Sequence, residues 1–154
     1  MKTAHIRAAA AAAFLILPAS LAQAHGVKEE HAGVASQAAH LEETVAVAAD
    51  RLIPNAAGKR LVSLIVDYPP GASSKSHRHA GSAFIYAYVL SGAVLSAVDG
   101  EAPRLYQAGE AWFENPGAHH QVSANASKTA PARLLAIFIV DADEADALTT
   151  PAAD

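Results

Sequence analysis

Residues 71–79, GASSKSHRH, and residues 109–120, GEAWFENPGAHH, decide how this chain is read. In the first stretch His77 and His79 stand two residues apart in a segment of strand character, so both imidazoles project from one face while Arg78 points away. Two imidazoles on one face make half of a metal site. The second stretch adds His120, about forty residues later and directly after the tight turn Asn115-Pro116-Gly117, where a following strand can cross the first. Neutral imidazole suits iron, zinc, manganese, nickel and copper, so the donor set does not choose among these metals.

Outward from these stretches the chain reads as all-β. Short runs rich in Val, Leu, Ile and aromatic residues are cut at regular intervals by Gly, Pro, Asn and Asp, which is the pattern of a sandwich or barrel. The expected strands are 44–49, 60–68, 74–79, 84–98, 104–107, 111–114, 120–125 and 132–141. Turn chemistry fills the gaps: Pro54-Asn55 and Gly58, Pro69-Pro70-Gly71, Asp99-Gly100, Gly109 and Asn115-Pro116-Gly117. The long run 84–98 should bend at Gly92, because glycine inside a strand pattern marks a bulge or corner.

The ends differ from the middle. Residues 1–24 carry Lys2 and Arg7 ahead of an apolar run from Ala8 to Leu17 and finish in Ala22-Gln23-Ala24, the build of a secretory signal peptide cleaved after Ala24. The apolar run falls well short of the roughly twenty residues that span a bilayer. An exported, periplasmic or secreted protein is the expectation, with no membrane attachment after cleavage. Residues 25–43 are a polar, Ala-rich arm, and residues 142–154 (ADEADALTTPAAD) have too little hydrophobicity to join a core and read as a disordered acidic tail. One domain, 44–141, remains between them. Cleavage would also leave His25 at the N-terminus, where amine and imidazole can chelate copper, with His31 and His40 nearby on the arm.

Composition narrows the function. Without the leader, nine Lys and Arg stand against fifteen Asp and Glu, with no basic run, so nucleic acid and anionic lipid are poor partners and a small molecule is a better one. There is no cysteine, which removes disulfides, zinc fingers and thiol nucleophiles together.

With its glycines included, the spacing GASSKSHRH…YVLSG followed by GEAWFENPGAHH resembles the two motifs of the cupin family, over roughly residues 60–141. The resemblance implies a single jelly-roll β-barrel with a metal ion at its mouth, held by His77, His79 and His120, and it implies a homodimer. His119 lies one step out of register and should face away. The departure is that the family usually places a Glu between the His-x-His pair and the closing Gly. Here AGSAFIYAYVLS contains no carboxylate: counting from His79 the position falls near Ala83 or Phe84, and counting back from Gly92 it falls on Ile85.

Three outcomes follow: a three-His centre with open positions, a carboxylate supplied by Glu114 from the strand before the Asn-Pro-Gly turn, or a barrel that has lost its metal. Glu114 is the candidate auxiliary ligand or general base, and an exposed strand-end carboxylate is its plainer role. Tyr86 and Tyr88 share a strand face, and Tyr86 is the candidate proton donor if that face lines the pocket, with packing as the competing role. The expected function is a metal-dependent enzyme on a small organic molecule, a dioxygenase with iron or an isomerase or hydrolase with zinc or manganese. The alternative is a barrel that binds or senses a small molecule or metal without turnover.

Overall fold

The computed structural model describes residues 41–144 and 147–152, and the expected leader and most of the polar arm, including His25, His31 and His40, lie outside the described residues. Eleven strands and no helix make up the described residues. In chain order they are β1 (Thr44–Leu52), β2 (Lys59–Tyr68), β3 (Ser73–Ser74), β4 (His77–His79), β5 (Phe84–Ser91) and β6 (Ala93–Val98). They continue with β7 (Arg104–Gln107), β8 (Ala111–Glu114), β9 (His119–Asn125), β10 (Ala132–Asp141) and β11 (Thr149–Pro151).

All pairings are antiparallel, and the strands form two sheets, ordered β1-β2-β10-β5-β8 and β11-β4-β9-β6-β7. This is the expected all-β jelly roll, built as two layers rather than as a closed barrel. Alternation explains the layers. On β2, Val62, Leu64, Val66 and Tyr68 share the inward face, and on β10 Leu134, Ala136, Phe138 and Val140 do so. The core divides into two clusters, one around Tyr68, Val89 and Trp112 and one around Val62, Ile85 and Phe138.

Gly92 turns the corner between the sheets, splitting the run 84–98 into β5 and β6 as its sequence suggests. It has φ of 71°, and a Cβ there would lie 2.6 Å from the Pro131 carbonyl oxygen and 2.8 Å from Ala132 Cα. Both conformation and space exclude a side chain.

The expected acidic tail is corrected by the structure. Thr149–Pro151 is a strand paired with β4, and Leu148 packs against the second core cluster. A strand whose side chains are exposed needs no hydrophobic run, because the free backbone groups of β4 supply its pairing. Pro151 then limits further addition at that edge.

Gly92→Ala is expected to cost about 3 kcal/mol or more, from left-handed strain and backbone overlap together, measured by urea unfolding. A cost below about 1 kcal/mol would mean that the corner relaxes freely.

Candidate metal centre

The expected ligand strand separates into β3 and β4, and β4 is only three residues long. It is held from both sides. His77 pairs with His120 on β9 and with Pro151 on β11, and His79 pairs with Thr149. Directly opposed residues in an antiparallel pair share a face, so His77 and His120 turn into the sandwich together.

A bulge on β9 decides which of the two adjacent histidines enters. Ser96 on β6 pairs with Ser123 and Ala97 with Val122, but Val98 pairs with His120, leaving Gln121 as the extra residue. Without it, strict alternation back from Asn125 and Ser123 would turn His119 inward. The shift aims His120 inside instead, a known use of bulges beside functional sites. His119 is left on the other face, where its Nε2 meets Ser76 Oγ at 2.8 Å.

The ligand atoms offered by His77, His79 and His120 lie within 4.8 Å of one another. The ring centroids of His77 are 4.9 Å from those of His79 and 5.2 Å from those of His120. His77 Nδ1 contacts the Lys75 carbonyl at 2.7 Å, which fixes the proton on Nδ1 and leaves the lone pair on Nε2. His120 Nε2 bonds to Ser96 Oγ at 2.9 Å, so its Nδ1 is the nitrogen that faces Glu114.

Glu114 joins them. It is 3 % exposed, its Oε1 accepts the Trp112 indole N–H at 2.9 Å, and that oxygen lies 3.4 Å from His120 Nδ1. Its Oε2 approaches His79 Nε2 to 2.7 Å, yet off the direction a ring N–H would take, so Oε2 and both nitrogens of His79 have no hydrogen-bond partner. Buried polar atoms are seldom left so, since each costs about 1–3 kcal/mol. The expectation of an exposed strand-end carboxylate does not hold.

Its register explains how it reaches the histidines. Glu114 is the direct cross-strand partner of Ile85, the one of the candidate positions for the absent carboxylate that is reached by counting back from Gly92. The side chain therefore enters from the neighbouring strand onto the same face, about 5 Å away.

Electrostatics keep the donors ready. Burial pushes the Glu114 carboxyl up, but the His79 contact, the charges of His120 and His79 and the Trp112 hydrogen bond together hold it below the usual range. Burial pushes His77 down, and it pushes His120 down to about 4, so both rings stay neutral at physiological pH.

A cavity of about 360 Å³ adjoins the cluster, with Leu64, Val66, Ile85, Leu134 and Phe138 in its apolar wall. Tyr68 is its phenol, 2 % exposed and bonded to Ser74 Oγ at 2.9 Å and Ser123 Oγ at 2.7 Å, two of the other hydroxyls lining the cavity. Burial raises its pKa, with the two serine hydrogen bonds opposing, so it remains a neutral phenol. Tyr86, the expected proton donor, is on the opposite face of its strand, against Phe113 and Tyr88 at centroid distances of 5.2 and 6.3 Å. Packing is its role. Tyr68 was signalled by its place in the inward alternation of β2.

The family described as "Cupin domain" matches residues 64–138, which contain both histidine stretches. This stretch is a cupin domain. Solved structures resembling this cupin include the DMSP lyase DddQ from Ruegeria pomeroyi DSS-3, at 22% identity and TM-score 0.55 over 73% of this chain and 54% of that one. An uncharacterized conserved protein with a double-stranded beta-helix domain from Klebsiella pneumoniae matches at 18% identity and TM-score 0.54, over 71% and 85%. Recombinant oxalate oxidase in complex with glycolate matches at 21% and 0.53, over 71% and 54%. This cupin spans about half the length of the oxalate oxidase chains it matches, 46% and 54% of two of them. No curated protein matches the sequence.

Two outcomes follow. Deleting Leu148–Asp154 removes one neighbour of β4 and should weaken metal binding at least about 10-fold while the remaining sheets stay folded, read by metal titration and circular dichroism. Full-strength binding by the shortened chain would show that β9 alone fixes β4. In chelator-treated protein, His120 titrates near 4 when folded and near its ordinary value when unfolded, so the unfolded chain binds more protons in between. Stability is therefore full above about pH 6.5 and lost as pH falls toward 4, on the order of 2 kcal/mol between pH 7 and 5, with His77 adding in the same direction. Urea midpoints that stay level across this window would contradict a neutral buried His120.

Proposed function

We propose that this cupin is a metal-dependent enzyme acting on a small organic molecule, with His77, His79 and His120 as metal ligands and Glu114 as auxiliary ligand or general base. The observation that carries the reading is the unsatisfied set at the centre: Glu114 Oε2 and both His79 nitrogens, buried and without hydrogen bonds. A pocket that only bound apolar molecules would gain nothing from them, and each would destabilise it. A cation among the four side chains supplies the missing partner.

Iron, zinc, manganese, nickel or copper fits these donors, and when bound would supply a Lewis acid or an oxygen-activating centre. The protein's own groups do the rest. The apolar wall excludes water and strengthens every charge interaction inside. Glu114, held ionised, can accept a proton from a molecule lodged in the cavity, and the Tyr68 phenol can donate a hydrogen bond to it. A volume of about 360 Å³ suits a small substrate. Oxalate oxidase and a DMSP lyase, which share the fold, act on small molecules by their names, an analogy that supports the size class of the substrate. The same reading takes residues 1–24 as a cleaved export leader.

Protein purified without chelator or nickel resin should carry stoichiometric metal, and His77→Ala and His120→Ala should lose it. Glu114→Gln, which keeps shape and removes charge, should bind the metal about 10–100-fold more weakly. Absence of metal in the wild type, with neither alanine variant altering metal uptake or melting temperature, would defeat the proposal.

A further inference from the structure

Two rungs of paired side chains face the cavity from the six-stranded sheet. One is His77 opposite His120, and the other is Ser74 opposite Ser123, three positions away on both strands. Three positions reverse the face of a regular strand. The bulge at Gln121 restores it on β9, and residues 75–76, which belong to no strand, restore it between β3 and β4. All four side chains accordingly line one cavity, their rungs about 7–10 Å apart along the strands.

The second rung ends in hydroxyls. Tyr68 reaches across from β2 and bonds to both serines, so three hydroxyl groups share two hydrogen bonds. Each bond uses one proton. The third O–H proton is left over, with unused lone pairs beside it, and among the described residues no further partner takes it. From the opposite sheet Ala87 and its direct partner Ala136 line the cavity with Val66 and Leu134, an apolar floor whose two alanines leave room for a chain. No cation serves this end. The one Lys or Arg among the described residues lining the cavity is Lys75, whose side chain is 76% exposed and meets Glu42 at 2.7 Å. Burial raises the Tyr68 pKa, the serine bonds oppose this, and the charges of Glu43 and Glu114 raise it further, so the field at the phenol is negative. An anion brought there would be repelled as well as desolvated.

We infer that the hydroxyl rung is the second anchor of the substrate, a short chain with a metal-binding oxygen group at one end and an uncharged oxygen, alcohol or ketone, at the other. The inference rests on the proposed metal centre. An alcohol both donates and accepts, a ketone accepts the spare proton, and neither brings a charge that lacks a partner. A carboxylate would meet the field of Glu43 and Glu114 with no cation to offset it. An ammonium can only donate, so it leaves the spare proton unused and surrenders its hydration. The rung separation matches an apolar spacer of about five or six carbons.

Straight-chain hydroxamic acids of about six carbons, whose hydroxamate binds the metal, test this on protein purified without chelator or nickel resin. Calorimetric titration gives their affinities, with metal content measured before and after. Probes ending in a hydroxyl or a methyl ketone should bind at least about 10-fold more tightly than the probe ending in a plain methyl group. Probes ending in a carboxylate or an ammonium should bind at least about 10-fold more weakly than the hydroxyl-ended one. Tyr68→Phe, which keeps the ring, and Ser123→Ala should each erase the advantage of hydroxyl over methyl. Absence of metal, or of binding by every hydroxamate, overturns the metal centre and this inference together. Metal-loaded protein that binds the methyl-ended probe as tightly as the hydroxyl-ended one, prefers a charged end, or keeps its hydroxyl preference in both variants overturns this inference alone. The ranking on the unmutated protein decides the matter if a variant misfolds.

Discussion

Placing a carboxylate and two imidazoles where water cannot reach them, between two apolar sheets, is the constraint around which this chain is organised. Glu114, His79 and His120 are each under a tenth exposed, and their burial would be ruinous if they stood apart. Together they offset one another in part: the carboxylate is held ionised by the rings, and one ring is fixed by a serine hydroxyl. The compensation is incomplete, since Glu114 Oε2 and both His79 nitrogens remain without hydrogen bonds. The fold thus tolerates locally what a cation would relieve, and rigid flanking pairs keep the rings from turning away to find other partners.

That constraint also accounts for the short, doubly held strand β4. Three residues cannot form a stable strand alone, but the side chains at both ends of β4 must point inward with little freedom. β9 supplies one rail and the C-terminal β11 the other, and Pro151 and Thr149 sit directly opposite the two histidines. Thr149 and Pro151 are therefore part of the wall of the site, although their side chains contribute no core.

The division between what could and could not be read from the residues follows from the range of each interaction. Strand positions were legible because alternation and turn residues are local, and the runs 104–107, 111–114 and 132–141 coincide with β7, β8 and β10. Three features were not. Strand β11 is recruited by an edge far away in sequence, so its own composition carries no signal. Tyr86 and Glu114 are both set by which face of a strand is inward, and a run such as FIYAYV, with apolar residues on both faces, leaves that choice open. The tie is broken by Ile85, which pairs with Glu114 and so sends Tyr86 outward with Phe113. The bulge at Gln121 is likewise invisible in HHQVSAN, though it decides that His120 rather than His119 enters.

The two-layer form bears on how anything could reach the centre. β1 and β11 are edge strands of different sheets, and residues of both line the cavity, as do Glu42, Glu43 and Lys75. Among the described residues, the sheets are joined on this side by the Leu41 carbonyl accepting from Ser73, by the Tyr68 hydroxyl bonded to Ser74 and Ser123, and by Lys75 meeting Glu42 at 2.7 Å in a pair whose side chains are 76% and 57% exposed. Exposed pairs of this kind are worth about 1 kcal/mol or less. Val45 and Val47 pair with Val66 and Leu64 of the cavity wall, yet among the described residues they are 54% and 66% exposed. The ligand strands are thus braced on both sides while the entrance is bounded by strand edges. That is the arrangement a site needs if its donors must stay fixed while molecules come and go.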